Sequence, residues 1–283
     1  MDDSLNKNSL YKDEIPYRTV KKMAEIHWSH QHMTELHKYG LMLIKPETIL
    51  LGKTLPIFSI LQSSDYELVY FLYKKICPTC ISEMWKFSWI NSSLERIFVN
   101  QKFFSTYKSL ILILRHRSPS RKSTCELLTD LKGSANEWER KPYQIREKIK
   151  PINYILNYVH TSDDQYDFLR ELGILLDCEE LIQAFNAMES DQIISYPNIN
   201  EPYLHEMDFT LDSWLNNIYA NMESSLIISP SDRKYIIDNI QRLKSDHKQK
   251  ITLDFLYVLY LNKLIRWDFQ TIVIISNNIN YMQ

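Results

Sequence analysis

The chain has 283 residues, 45% of them hydrophobic, and a formal net charge of −2. It contains only four glycines, whereas average usage of roughly 7% would give about twenty. Rossmann, P-loop and most β-rich proteins need glycine at tight turns and at phosphates, so this scarcity argues against those classes. Four scattered cysteines are too few for a disulfide framework and favour a reducing compartment.

Targeting and cofactor motifs are missing from the sequence. The polar first residues contain no signal-peptide segment, and apolar runs such as Ile272 to Ile275 are far too short to span a bilayer. Neither of the two glycine-rich nucleotide motifs occurs. We therefore expect an intracellular protein, cytoplasmic or nuclear or both, with no membrane association and no cofactor.

Residues 1–17 are predicted to be a flexible lead-in, and residues 18–131 to form a region of helical hairpins. Apolar residues from Thr19 to Tyr39 recur at helical spacing and predict one helix that ends at Gly40. His27, His30 and His37 would share a face of that helix, which suggests a metal site. The alternative is a helix whose histidines only pack and form hydrogen bonds. We predict that alternative, because no nearby carboxylate or cysteine completes a tetrahedral site.

The next segment predicts a hairpin of two short helices. Thr54 can cap the first helix, Ser63 to Asp65 form a polar turn, and Tyr66 to Ile76 form the second helix. Cys77 and Cys80 then form a Cys-x-x-Cys pair, whose possible roles are redox chemistry, zinc binding with the histidines, or structure. We expect a structural role, because the pair follows a predicted helix rather than a strand and no second such pair is present.

Further helices are predicted from Ile81 to Phe104, and residues 105–114 form another apolar segment. That segment ends in the most concentrated basic patch of the chain. Its charged members are candidates for contact with phosphate or nucleic acid. We favour a solvated loop between helices, because interleaved aromatic residues and a recognisable nucleic-acid fold are both missing. These candidates are Arg115, Arg117, Arg121 and Lys122.

Residues 132–150 are polar and are predicted to form a linker or an exposed excursion, followed by a helical region at 151–283. Short helices are expected after Pro151 and from Tyr166 to a closing Gly173. The final segment, Phe269 to Asn277, mixes strand-favouring residues with a helical context, and we predict a helix there.

Two segments, 54–76 and 150–173, resemble the ankyrin repeat. The first reads Thr-Leu-Pro-Ile-Phe and then Glu-Leu-Val-Tyr-Phe-Leu, and the second reads Lys-Pro-Ile-Asn-Tyr and then Tyr-Asp-Phe-Leu-Arg-Glu-Leu-Gly. The resemblance implies an all-α fold of stacked helical hairpins, either degenerate ankyrin-like repeats or another α-solenoid. It also implies a scaffold that binds other proteins.

The charge is distributed very unevenly along the chain. Residues 84–150 carry 14 Lys and Arg against 6 Asp and Glu, while residues 161–232 carry 15 Asp and Glu against a single basic residue. Blocks of this kind influence partner choice and association rate. Aromatic residues lie within the acidic block, and they are enriched at interface cores. The predicted partner-binding residues are Tyr203, Asp208, Asp212, Trp214 and Glu223.

Catalytic motifs of the nucleophile-elbow and His-Glu-x-x-His kinds are absent, and no catalytic residue is predicted. The sequence therefore predicts a non-enzymatic adaptor that binds another protein, of unspecified identity, through a helical-repeat surface. The first alternative is a nucleic-acid-associated subunit that uses the basic region 84–150. A more distant alternative is a metal-dependent enzyme with the N-terminal histidines and the two cysteines as ligands.

Overall fold

A computed structural model describes residues 3–28, 31–118, 120–199, 210–225, 227–246 and 248–282. Within these residues the chain forms helices and four β-strands. In chain order they are α1 Asp3–Tyr11, α2 Ile15–Trp28, α3 His32–Leu36, β1 Tyr39–Ile44, α4 Pro46–Leu50, α5 Thr54–Ser63, β2 Tyr66–Lys75, α6 Pro78–Trp85, α7 Leu94–Thr106, β3 Lys108–His116, α8 Thr124–Lys132, α9 Ile145–Ile149, β4 Val159–Thr161, α10 Gln165–Leu175, α11 Cys178–Glu189, α12 Leu211–Ser224, α13 Pro230–Ser245, α14 Leu253–Leu261 and α15 Phe269–Asn277.

The chain divides into two compact units. One comprises residues Met1–Ile76 and Tyr107–Tyr203 and contains the four strands, and we call it the sheet unit. The other comprises Cys77–Thr106 and Leu204–Gln283 and contains α6, α7 and α12–α15; we call it the helical unit. This division differs from the expected boundaries at 131 and 150. Thus the predicted linker, 132–150, lies wholly within the sheet unit.

The sheet unit is built on an antiparallel sheet with strand order β2-β3-β1-β4. Helices α4 and α5 connect β1 to β2, and α8 and α9 connect β3 to β4, so the unit has the β-α-β-β-α-β order of split-βαβ folds. The prediction of an all-α solenoid is therefore wrong, because the sheet unit is mixed α/β. The ankyrin-like, α-solenoid description is wrong for the same reason.

The two proposed repeats are not helical hairpins. In the first, α5 is helical as predicted, but Tyr66–Lys75 is strand β2, paired along its length with β3. In the second, residues 151–158 contain no helix, β4 follows, and α10 continues through Gly173 to Leu175. The apolar segment 105–114, within the region expected to consist of helical hairpins, contains most of β3.

The N-terminal region also differs from the single predicted helix. Helix α2 ends at Trp28, and Gly40 lies inside β1 rather than at a helix end. The expected lead-in contains α1, and the side chains of Tyr11 and Tyr17 are 5% and 1% exposed. These residues are therefore part of the packed sheet unit.

Helices cover both faces of the sheet, because its central strands are apolar on both sides. Alternate residues of β1 and β3 on one face pack with apolar residues of α5 and α8. On the other face α10 contacts β1 and α11 contacts β2. The residues of the first face include Met42, Ile44, Leu110, Leu112, Ile57, Phe58, Leu61, Leu128 and Leu131. Strand β1 is buried at every position, as expected for a strand between two helical layers.

The described part of the helical unit consists of helices that bury their own apolar side chains. Helix α7 contacts α6, α14 and α15, and α12 contacts α13 and α15. The predicted helix at Phe269–Asn277 is present as α15, with its N-cap at Asp268. Among the described residues no helix is long and apolar enough to cross a membrane.

Candidate active site around His160

A histidine, a serine and a glutamate meet where β4 leads into α10. In the pairing of β1 with β4, His160 lies opposite Leu43. Its Nε2 is 2.7 Å from Oε1 of Glu171, and the hydroxyl of Ser162 donates to Oε2 of the same carboxylate at 2.5 Å. Glu171 is only 5% exposed. One buried carboxylate therefore orients both side chains.

The local sequence explains how these three groups come together. His160 and Ser162 are two residues apart in an extended segment and therefore point to the same side of it. Asp164 then caps α10 by accepting hydrogen bonds from the backbone N–H groups of Tyr166 and Asp167. The helix turns back along the sheet, so Glu171, in its second turn, faces β4.

The contact with Glu171 assigns chemical roles to the two ring nitrogens of His160. A carboxylate only accepts hydrogen bonds, so Nε2 carries the proton in the Glu171 contact. In the neutral ring the lone pair is then on Nδ1. A histidine whose second nitrogen is held by a carboxylate is the arrangement that general bases and nucleophilic imidazoles share.

Two buried cations meet on Asn157, just before β4. Nζ of Lys45 donates to Oδ1 of Asn157 at 3.2 Å and to the carbonyl oxygen of Ile155 at 2.5 Å. Nη2 of Arg146 donates to the same Oδ1 at 3.1 Å and to the carbonyl oxygen of Val159 at 2.6 Å. Lys45 and Arg146 are 4% and 7% exposed. A concentration of positive charge therefore lies at the start of the strand that carries His160.

Of these two cations, Arg146 has less of its positive charge balanced by nearby carboxylates. Its remaining hydrogen bonds go to the carbonyl oxygens of Gly133 and Asn157, and no carboxylate of the described residues lies within ion-pair distance. Burial lowers the pKa of its guanidinium to about 10, and repulsion by Arg140 acts in the same direction. A bound anion would relieve this energetic cost.

Glu47 is a second unusual buried group beside Lys45. It is fully buried, its Oε1 accepts the backbone N–H of Tyr158 at 2.9 Å, and Nζ of Lys45 is 3.5 Å from that oxygen. Its other oxygen, Oε2, has no hydrogen-bond partner among the described residues. An unpartnered buried carboxylate oxygen is costly and is found more often at functional sites than elsewhere.

Lys132 and Asp163 add a third charged pair to the group. Their Nζ and Oδ1 atoms are 3.3 Å apart, and Thr129 also donates to that carboxylate at 3.1 Å. Burial lowers the pKa of Lys132, and repulsion by Arg146 adds to the shift. Burial alone would raise the pKa of Asp163, but the charges of Lys132 and His160 outweigh it and hold that pKa below its ordinary value. Asp163 therefore interacts electrostatically with Lys132, Arg146 and His160.

The basic residues singled out from the sequence are divided between ion pairs and solvent. Arg115 bonds through Nη2 to Glu67 at 2.9 Å and through Nη1 to Asp191 at 2.5 Å, and Nε of Arg117 lies 3.1 Å from Glu67. Arg121 and Lys122 are exposed. The two arginines thus have acidic partners within the sheet unit, and the proposed contact with nucleic acid stays a prediction.

The residues predicted to bind a partner are only partly described. Tyr203 and Asp208 lie outside the described residues. Asp212 is exposed on α12, and Glu223 is 3.3 Å from Nη1 of Arg233. Trp214 is only 6% exposed and faces the interior of the helical unit, so it packs as a core residue. If a partner binds through α12, an aromatic residue other than Trp214 would have to contact it.

The metal-ligand candidates are not brought together in the described chain. His27 lies 2.9 Å from Glu189 and stacks on Phe185, His37 is exposed on the segment between α3 and β1, and His30 lies outside the described residues. Cys77 and Cys80 form a disulfide with each other. The described residues contain no group of three or more His, Cys, Asp or Glu side chains arranged for a metal.

No sequence motif singles out His160, Glu171, Lys45 or Arg146. A usable signal was present: His160 interrupts an apolar segment, Ser162 follows at strand spacing, and a glutamate comes nine residues later on a helix. Lys45 likewise follows directly on the apolar run of β1. Charged residues at the ends of buried strands are candidates for binding and catalysis, because their burial needs a compensating reason.

Comparison with known proteins gives no family for the chain. No protein-family description and no curated protein matches it. Among solved structures, it is similar to nucleoside diphosphate kinases from Aquifex aeolicus, Encephalitozoon cuniculi and Borrelia burgdorferi, the last a transition state mimic with bound vanadate and ADP. In that order the sequence identities are 14%, 13% and 16%, and the TM-scores are 0.42, 0.43 and 0.42. The alignments cover 50%, 50% and 56% of this chain and 97%, 91% and 92% of those chains. Similarity at this level assigns neither a family nor a function.

Proposed function

We propose that the sheet unit is a group-transfer enzyme in which His160 accepts a phosphoryl group and passes it to a second substrate. The observation that carries the proposal is the buried Glu171 carboxylate, which contacts Nε2 of His160 and accepts from Ser162. This contact fixes the orientation of the ring, and it defines Nδ1 as the nucleophilic atom.

Glu171 also stabilises the charge that develops during the reaction. When Nδ1 attacks phosphorus, the imidazole ring becomes positively charged, and a carboxylate 2.7 Å from Nε2 favours that state over the neutral one. Ser162 keeps the carboxylate in place through its hydrogen bond to the other oxygen. Because both partners are fixed before the reaction, little reorganisation is needed in the transition state.

The positive charges next to the backbone of β4 favour a phosphoryl group over a neutral acyl group. Lys45, Lys132 and Arg146 are all buried or nearly buried basic side chains of this region, and Arg146 has no carboxylate partner in the described chain. Phosphoryl transfer depends on cations that bind the non-bridging oxygens. Ser162 donates to Glu171 rather than to His160, so the histidine is not arranged as the base of a serine nucleophile.

The proposed reaction has two balanced steps. The Nδ1 lone pair forms a bond to phosphorus, the bond from phosphorus to the leaving oxygen breaks, and that oxygen departs with its electron pair. An oxygen of the second substrate then attacks phosphorus, the N–P bond breaks, and its electrons return to Nδ1. Glu171 holds the ring during both steps.

This proposal replaces a non-enzymatic adaptor as the function that the geometry supports best. Protein binding through the acidic residues and nucleic-acid binding through the basic patch stay predictions, and their experiments are independent of the His160 site. The same chain can contain both a catalytic site and a binding surface, since function depends on sites more than on fold.

Labelling of the purified protein tests the proposal. Incubation with ATP labelled at the γ-phosphate should give phosphoprotein that is labile in acid and stable in alkali, as expected for an N–P bond. The variant His160→Gln should not be labelled. The matched control is His116→Gln. His116 is also on a strand of the sheet unit, but its Nδ1 donates to the carbonyl oxygen of Ser118 at 2.9 Å rather than to a buried carboxylate.

Two further variants separate the roles in the site. Glu171→Gln should retain the fold and reduce the labelling rate at least ten-fold, since the amide gives weaker charge compensation. Ser162→Ala should have a smaller effect. Equal labelling of the wild type and His160→Gln, or no labelling of a folded wild-type protein by any of the common nucleoside triphosphates, would overturn the proposal.

A further inference from the structure

The Cys77–Cys80 pair stands at the beginning of α6 in the helical unit. Cys77 is the N-cap residue, Pro78 is the first residue of the helix, and Cys80 lies in the first turn. The two cysteines are joined by a disulfide across a Cα–Cα distance of 5.2 Å. Pro78 suits this location because the backbone at the start of a helix needs no N–H donor.

The sulfur of Cys77 is exposed and receives hydrogen bonds. The backbone N–H of Cys80 lies 3.1 Å from Sγ of Cys77, and the hydroxyl of Thr79 lies 3.2 Å from the same atom. Since a disulfide sulfur has no proton, Thr79 is the donor. Cys77 is the more exposed of the two cysteines, and Cys80 is half-buried. An attacking reagent therefore reaches Cys77 first.

The same contacts stabilise a thiolate after reduction. The helix N-terminus carries a partial positive charge, and a sulfur at the N-cap accepts the N–H of the residue three positions later. Reactive cysteines of Cys-x-x-Cys motifs occur at helix N-termini for this reason. The Thr79 hydroxyl and the Cys80 backbone N–H already lie in position to donate to Sγ of Cys77 while the disulfide is intact, so reduction needs no rearrangement to stabilise the thiolate.

The other two cysteines have different surroundings. Cys125 is fully buried, and burial raises the pKa of its thiol well above the ordinary value. Cys178 is exposed at the first position of α11, but the N-cap of that helix is Asp177, whose carboxylate accepts the N–H of Glu180. The capping position near Cys178 is therefore occupied by a negative charge, whereas in α6 the sulfur itself occupies it.

We infer that Cys77 and Cys80 form a redox-active pair that exchanges with low-molecular-weight disulfides and thiols. The thiolate of Cys77 attacks one sulfur of a disulfide such as oxidised glutathione, and the first thiolate of that molecule leaves. The thiolate of Cys80 then attacks Sγ of Cys77 and releases the second thiol. The net reaction converts one dithiol and one disulfide into one disulfide and two thiols, and the reverse reaction consumes two thiols.

This inference does not depend on the phosphoryl-transfer proposal. The atoms on which the redox inference rests belong to residues 77–80 of the helical unit, while the His160 site belongs to the sheet unit. It also differs from the structural role expected from the sequence. That expectation rested on a predicted helix before Cys77, but the preceding segment is strand β2 and α6 opens at the motif itself.

Alkylation of the full-length, fully reduced protein gives the first test. With limiting iodoacetamide at pH 7, peptide mass spectrometry should show Cys77 modified at least ten-fold faster than Cys178, and Cys125 modified only after unfolding. Cys178 is the matched control, because it is also exposed at the beginning of a helix. Equal rates for Cys77 and Cys178 would overturn the inference.

Trapping of the mixed disulfide gives the second test. Cys80→Ser treated with oxidised glutathione should accumulate one glutathione on Cys77, whereas the wild type should release it and regain the 77–80 disulfide. In buffers with varied ratios of reduced to oxidised glutathione, the wild type should pass reversibly between dithiol and disulfide. A pair that stays in one state over the whole range, in protein shown to be folded by circular dichroism, would contradict exchange.

Discussion

Replacement of Gly173 by alanine tests the link between packing and the candidate active site. Gly173 lies inside α10, where alanine normally stabilises a helix by about 0.5–1 kcal/mol relative to glycine. Here a Cβ atom would lie 2.4 Å from the carbonyl oxygen of Pro16 and 2.8 Å from its carbonyl carbon. These are backbone atoms of α2, so neither can move aside by a change of rotamer.

The size of the effect follows from that distance. Ordinary van der Waals contact begins near 3.4 Å, which exceeds 2.4 Å by 1.0 Å, so α10 and α2 must separate by about that amount. Overpacking of this kind costs roughly 1–3 kcal/mol, with a rigid backbone neighbour at the upper end. After the gain in helix propensity, Gly173→Ala should lose about 2 kcal/mol of stability.

The same displacement should affect catalysis, because Glu171 is two residues away on α10. A movement of about 1 Å would break or lengthen its 2.7 Å contact with Nε2 of His160. Misplacement of this size costs up to about 100-fold in rate. Urea unfolding followed by circular dichroism measures the stability, and the rate of phosphoryl labelling measures the site.

The control for helix propensity is Asn186→Ala on the exposed side of α11. It should leave the labelling rate unchanged and the stability equal or slightly higher. If Gly173→Ala proved as stable as the wild type and was labelled at the full rate, the close packing of α10 on α2 would be refuted.

Three further outcomes are expected. Burial favours the protonated form of Glu67, but hydrogen bonds from Arg115 and Arg117 outweigh this effect and hold the pKa of Glu67 below its ordinary value. The unfolded chain therefore binds the proton more readily than the folded chain, and the stability that the Glu67 ion pairs contribute is lost as the pH falls below about 5. Thermal unfolding should therefore be less sensitive to acid in Glu67→Gln than in the wild type, and equal sensitivity would contradict the ion pairs. Leu112→Ala, at a fully buried position of β3, should destabilise by roughly 2–5 kcal/mol in urea unfolding, and a loss below about 0.5 kcal/mol would place β3 outside the core. The N-terminal histidines should hold no structural metal, so a chelator should leave the melting temperature unchanged, and stoichiometric zinc in the purified protein would disprove this.

The sequence predicted several helices correctly but not the sheet. The residues of β2 include Leu68, Val69, Phe71 and Leu72, a spacing that fits one face of a helix, yet this ten-residue segment is a strand. In β3 the run Leu-Ile-Leu-Ile-Leu is apolar at every position, because both faces of the strand are covered. Short apolar runs of this kind do not distinguish a buried strand from a buried helix by periodicity.

The scarcity of glycine was a misleading signal for a physical reason. A sheet needs glycine mainly at tight hairpin turns, but here every connection between strands passes through helices. The positive φ values required at a few turns are adopted by other residues, including Asp65 at 62° and Tyr158 at 72°. Asp65 ends the turn between α5 and β2, a place where a glycine would have been expected.

The candidate site was not predictable from local motifs because its parts are brought together by the fold. Lys45 follows β1, Arg146 lies on α9 and His160 lies on β4, and no local motif links these three positions in the sequence. By contrast, the capping box of Asp177 and Glu180 at the start of α11 is a local pattern that the sequence itself displays. Local hydrogen-bonding signals were therefore predictable, and tertiary electrostatics were not.

The position of the phosphoryl group on His160 tests the central claim most directly. Protein labelled with ¹⁵N at histidine, after reaction with the phosphoryl donor, can be examined by NMR correlation of the two ring nitrogens with phosphorus and the ring protons. Because Glu171 holds Nε2, we expect phosphorus bonded to Nδ1 of His160, with Nε2 still protonated. Phosphorus on Nε2, or on any residue other than His160, would contradict it.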